Sequence, residues 1–272
     1  MRAFHKPVID ITAQIELLKQ RGLHIQDETR ARYFLQAVSF FRLTPYMRTF
    51  QHAEHQDHPF RDGAGFRDPT TLYDFDRRLR LLSMDAIERV EVAVRSMISN
   101  HMGTNHGGHW YVDAGLFQHT YDHDRLLETI RTKQNTAKRD YEKECQRIDR
   151  LQTDTQRKAQ LKRQRAKESY ARHYPVTYDQ PSLMPGWAML EELTLGDLSH
   201  LYKGLARDAD KKVIAKSLEL PAPLLQSWLH TLTTIRNICA HHARLWNREL
   251  GTRPELPRKT SFQWPQALLQ QG

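Results

Sequence analysis

The chain has 272 residues, enough for one large or two small domains and ample for a buried core. Hydrophobic residues make up 39% and charged residues 27%, with a formal net charge of +9 at pH 7; this balance excludes a disordered chain and favours solvated helices with a polyanionic partner. Two cysteines, Cys145 and Cys239, are too few for a disulfide framework or a metal site, and no segment approaches the roughly 18–20 apolar residues of a membrane span, so the expectation is a cytoplasmic protein with no membrane association.

Residues 11–21 read as a short amphipathic helix stopped by Gly22, and Asp27 as the cap of a second helix that carries Tyr33, Phe34, Val38 and Phe41. Arg42 follows among aromatics, where it either braces a helix end or contacts phosphate. From 51 to 69 the chain turns polar, and His52, His55 and His58 read as a solvated loop because no Cys or close carboxylate pair joins them. Residues 71–102 predict the longest helix, with Leu72, Phe75, Leu79, Leu82, Ile87, Val90, Val94 and Ile98 on one buried face and Glu91 paired to Arg95 at i, i+4. His101, His106 and His109 then fall where glycines are expected to break the helix, a setting that rarely holds imidazoles in metal geometry.

Residues 119–172 hold 15 Lys and Arg against 9 Asp and Glu, most of the chain's positive excess, with sparse aliphatics. They read as a pair of helices projecting from the body as a basic arm, with Arg157, Lys158, Arg163 and Arg165 as RNA contacts or as a solvated face. Pro175, Pro181 and Pro185 mark a connector, after which 187–205 and 208–218 supply two more helices. The residues from 252 to 272 read as an irregular tail.

The most informative stretch is 221–250. Leu225, Trp228, Leu229, Leu232, Ile235, Cys239 and Trp246 recur with the period of one helix, started by Pro221 and Pro223 and ended by Gly251. At about 100° per residue, Arg236, Asn237, Ala240, His241, Arg244, Asn247 and Arg248 fall opposite that stripe, while His242 falls on it, as a core histidine or a second base. Guanidinium and imidazole groups on one face suit phosphate chemistry, one supplying fixed charge and the other moving protons. From spacing alone, a solvated helix face is the simpler reading.

The string from Arg236 to His242, RNICAHH, resembles the RNxxAHH signature of the Abi-like (AbiD/AbiF) abortive-infection proteins, whose C-terminal region is a HEPN-type ribonuclease module. The resemblance extends through Lys6-Pro7 and the run from Gln14 to Gly22, through Phe40-Phe41-Arg42-Leu43 with Tyr46, through Leu72 to Arg80 and Ile87 to Arg95, and through Trp187 to Glu191 with Leu195 to Ser199. It implies an all-α fold: a HEPN-like helical bundle made of 70–118 and 175–251, an N-terminal helical lead over 1–69, an inserted basic arm over 119–174, and a tail over 252–272. It also implies an endoribonuclease that needs no metal or other cofactor, acting in antiviral defence as a homodimer whose two motifs face each other. In that reading His241 relays protons, Arg236 holds the phosphate, Asn237 orients one of them, and Arg244 and Arg248 bind RNA. The alternative is a module that holds RNA, such as a cognate non-coding RNA, or a partner protein without cleaving it.

Overall fold

The computed structural model describes residues 7–256. It is all-α: among the described residues there are eleven α-helices, short 3₁₀ turns and isolated bridges but no strand. No helix among them is long and apolar enough to cross a membrane. The chain divides into two compact units, one made of residues up to Asp85 with Arg236–Glu249, the other of Ala86–Ile235 with the residues from Leu250 onward.

The first unit begins with α1 (Ile11–Gln20), capped by the Asp10 carboxylate on the Ala13 N–H and ended by Gly22 at φ +88°. Helix α2 (Glu28–Val38) starts at Asp27 as expected, its side chain accepting from the Arg30 N–H. Phe41 does not belong to it. Ser39, at φ 69°, breaks the chain and caps a separate α3 (Phe40–Met47). Ile15, Leu18, Leu35, Leu43, Tyr46, Met47 and Phe60 form the core of this unit.

Helix α4 (Arg67–His106) runs through Gly103 and ends directly before Gly107, at φ +87°, and Gly108, so the expected glycine break occurs four residues beyond the 102 boundary. Its apolar face also differs from the periodic expectation. Phe75 and Leu82 are 51% and 71% exposed, whereas Asp76 is fully buried and Arg80 is 6% exposed. From Ile87 onward the stripe behaves as expected, with Ile87, Val94, Ile98 and Met102 buried in the core of the second unit.

That second core is completed by α5 (His123–Asp149), α7 (Tyr170–Thr177), α8 (Gly186–Glu192), α9 (Leu195–Gly204), α10 (Asp208–Lys216) and the start of α11 (Ala222–Ala240). Residues 187–205 are two helices rather than one, because Thr194 and Asp197 form a capping box that restarts the chain. Gly186 lets the backbone pass Trp110, since a Cβ there would stand 2.6 Å from the indole nitrogen. The basic segment is anchored in this core at its start: Leu126 and Ile130 are buried, and the Gln134 amide donates to the Ser182 carbonyl (2.9 Å) and accepts from the Met184 N–H (3.0 Å). Farther out, α6 (Thr155–Ala166) buries only Ala166.

The Glu91–Arg95 pair forms as expected, and Arg95 also donates to the Leu193 carbonyl at 2.6 Å. The three histidines beyond it do not all meet at one point. His101 and His106 face Asp210, and His109 lies 3.0 Å from the Leu183 carbonyl. The tail from residue 257 lies outside the described residues.

Candidate functional site

The motif lies in the first unit, and the end of α11 builds it. The helix stops at Ala240, ten residues before the boundary expected from the apolar period. His241 still donates its N–H to the Asn237 carbonyl at 3.0 Å, but His242 donates to Cys239 (3.0 Å) and Ala243 to Ile238 (3.0 Å), the bonding of a Schellman cap. His242 takes the left-handed position of that cap at φ 54°, a conformation glycine adopts with less strain. His242 is therefore exposed, not a core residue. The helical period misplaces His242 because it continues a helix that has already ended at Ala240.

A buried polar cluster holds the turn. The Asp76 carboxylate accepts from the Tyr46 hydroxyl (2.6 Å), from Arg80 Nη1, and from the backbone N–H groups of Leu245 (3.2 Å) and Trp246 (2.7 Å). Arg80 Nη1 also approaches the Ala243 carbonyl (3.4 Å), and Arg42 Nη1 donates to the His242 carbonyl at 2.6 Å. Arg42 is thus a brace for a helix end. Buried charge at this density is tolerated because every partner is supplied. Burial first, then the Asp76 hydrogen bond, push the Tyr46 hydroxyl up to about 12, so it remains a donor at neutral pH. Burial also raises the Cys239 thiol, with Arg80 opposing, which leaves it inert rather than nucleophilic.

Above this clamp, Asn237 and His241 are exposed one turn apart and Arg236 is half-buried. Among the described residues, no hydrogen bond or ion pair engages the side chains of Arg236, Asn237, His241 or His242. Arg244 is placed differently from the expectation: its guanidinium stitches its own loop, donating to the Trp246 (3.1 Å) and Asn247 (3.0 Å) carbonyls. Arg248 is exposed in the following turn. No group of three or more His, Cys, Asp or Glu side chains among the described residues is placed to hold a metal ion.

Of the four basic residues singled out in 119–172, Arg157 and Arg163 are exposed, Lys158 Nζ donates to the Asp149 carbonyl at the end of α5 (2.8 Å), and Arg165 pairs with Glu168. Tyr46, Asp76 and Arg80 were not recognised as parts of the site from sequence. The signal for them was a carboxylate and a guanidinium at i, i+4 that interrupt the Leu72–Leu79 face.

Comparison with curated proteins and with solved structures finds no match. The family model described as Abi-like protein matches residues 33–247, a span that takes in α3, the Asp76–Arg80 pair and the whole of the motif turn. The helices that clamp the turn and the turn itself thus fall within one family match, and the chain belongs to the Abi-like proteins, a family of abortive-infection defence.

Proposed function

We propose that this protein is a metal-independent endoribonuclease that works at the C-terminal end of α11. The observation that carries the reading is a pair of adjacent exposed imidazoles, His241 and His242, on a turn whose backbone is gripped by Asp76, Arg80 and Arg42. Catalytic groups need a fixed frame and free heads, and this turn combines them. The Asp76 carboxylate beneath the turn already accepts from four donors, which supports a chemistry of imidazole, guanidinium and amide.

In the proposed reaction His241 takes the proton of a ribose 2′-OH as that oxygen attacks the adjacent phosphorus. The O2′–P bond forms and the P–O5′ bond breaks. A second imidazole, His242 or a second copy's histidine, protonates the leaving O5′, giving a 2′,3′-cyclic phosphate and a 5′-hydroxyl. Arg236 binds the phosphate and offsets the charge that builds on its oxygens, and Asn237, one turn before His241, orients the ring or the phosphate. Phe41, Phe75 and Leu82 leave apolar side chains exposed on the unit that carries the motif, which supports pairing of two copies through that unit. RNA contacts extend to Arg248 and, on the basic segment, to Arg157 and Arg163.

The test is incubation of the full chain with mixed RNA in EDTA beside His241→Ala and Arg236→Ala. New cyclic-phosphate ends are expected with the parent chain, and each variant should lose about a hundredfold or more of the rate while keeping its fold. RNA that is bound but never cut would replace this reading with the non-catalytic binding module. Activity that vanishes in EDTA and returns with Mg²⁺ would overturn the metal-independent mechanism. Replacing Arg157 and Arg163 by Glu should weaken RNA binding and flatten the slope of log K against log salt by roughly one to one and a half units.

A further inference from the structure

The second unit contains a cleft of about 430 Å³ between the start of α5 and the face of α9, within the range of roughly 300–1,000 Å³ typical of small-molecule sites. Two helical faces line it. Asp122, Arg125, Leu126 and Thr129 follow one another at helical spacing on one side, and Asp197, His200, Lys203 and Gly204 do so on the other.

The cleft has a firm wall. The Tyr121 ring stacks on Phe117 (4.9 Å between centroids, 15° between planes) and lies against Gly204, where a Cβ would stand 2.2 Å from the ring. Only glycine permits that approach. Leu126 and Leu193, both buried, supply apolar lining. Burial, then Asp197 and Asp122, push the Tyr121 hydroxyl up to about 12, so it remains protonated.

The charges in the cleft point to the kind of ligand. Arg125, His200 and Lys203 are exposed, and among the described residues their side chains have no hydrogen bond or ion pair. Arg125 stands in the first turn of α5, three residues after its Asp122 cap, where the helix dipole disfavours a cation. A guanidinium held there against the helix's own field suits an anion from outside. The two carboxylates already have partners: Asp122 Oδ1 accepts from the Arg125 N–H, and Asp197 Oδ2 accepts from the Thr194 N–H and hydroxyl. Each keeps a second oxygen for a donor. Inorganic phosphate would satisfy only the cations and would be repelled by the carboxylates. A nucleoside without phosphate would leave the cations unmet.

We propose that this cleft binds a free nucleoside monophosphate, with the phosphate at Arg125, His200 and Lys203 and the base or ribose donors at Asp122 and Asp197. The site is independent of the proposed nuclease chemistry and belongs to the other unit.

Equilibrium dialysis of the full chain tests it, with AMP, GMP, CMP and UMP in turn, and with adenosine, inorganic phosphate and a 5′-phosphorylated hexaribonucleotide as separate arms. At least one mononucleotide should bind, at least tenfold more tightly than its nucleoside or phosphate. Arg125→Gln with Lys203→Gln should weaken it tenfold or more, and Arg236→Ala should leave it unchanged. Both glutamines replace exposed cations, and the first relieves an unfavourable helix position, so the variant should fold; a circular dichroism spectrum checks this, and His200→Ala provides a second, milder loss. No mononucleotide bound at millimolar concentration, phosphate bound as tightly as the nucleotide, or loss of binding in Arg236→Ala would each overturn the proposal. So would binding of the oligonucleotide alone.

Discussion

The two halves of α4 bury opposite kinds of residue. In its second half, Ile87, Val94, Ile98 and Met102 form an ordinary apolar stripe in a core where any side chain of similar shape would do nearly as well. In its first half the buried pair is Asp76 and Arg80, while Phe75 and Leu82 face solvent. An ion pair of this kind is poor material for stability, because removing two charges from water offsets most of their attraction. Its value is directional. One carboxylate fixes two backbone N–H groups of a turn some 170 residues away, which no aliphatic side chain could do.

The most severe break of the first half should be Asp76→Ala. It strands Arg80 in the interior and leaves the N–H groups of Leu245 and Trp246 without their acceptor, so we expect a loss of about 4 kcal/mol in chemical denaturation. The double variant Asp76→Leu/Arg80→Met should recover less than half of that, since the two N–H groups remain orphaned. Full recovery would mean that the pair is an interchangeable ion pair and no clamp. In the second half, Ile98→Ala should cost about 3 kcal/mol as a cavity, with no change in the chemistry of the motif once the protein is folded. A parallel loss of activity in folded Ile98→Ala would erase the contrast between the halves.

Tyr46→Phe is milder, about 2 kcal/mol at neutral pH for one hydrogen bond to a charged acceptor. It has a distinctive pH signature. The folded hydroxyl titrates at about 12 against about 10 for an unfolded tyrosine, so its contribution is complete below pH 10 and is lost as pH rises toward 12. Removing it should lower the protons linked to unfolding in that window by about one, read from stability measured at several pH values. The smallest effect is the most informative about the turn. His242→Gly should raise stability by up to about 1 kcal/mol, because glycine takes φ 54° without strain. A loss instead would show that the imidazole makes a contact that holds the fold.

These contrasts explain what could be read from the sequence. Asp27 and Gly22 mark their helix ends through local chemistry, and they were legible. The Glu91–Arg95 pair was legible for the same reason. The end of α11 was not, because no residue type announces it: no glycine or proline lies between Ala240 and Gly251, the left-handed cap position is a histidine, and Trp246 continues the apolar rhythm. The stop is imposed by Asp76 and Arg42, on helices far away in sequence. Burial of Asp76 was hidden by the ordinary rule that charges face water. The motif could be recognised as a string, yet which imidazole is exposed depended on that unseen stop. In the basic segment, the sparse aliphatics hid an anchor made by an amide, Gln134.

The contact between Arg42 and the carbonyl of His242 joins residues 200 positions apart, and the clamp at Asp76 waits for Leu245 and Trp246. During synthesis, at about 5–20 residues per second, α3 and the front of α4 leave the ribosome roughly 10–40 s before the segment they must hold. Until then the histidine turn has no frame. A nascent chain, or one interrupted before residue 245, carries no framed histidine turn, so whatever that turn does is reserved for the finished chain.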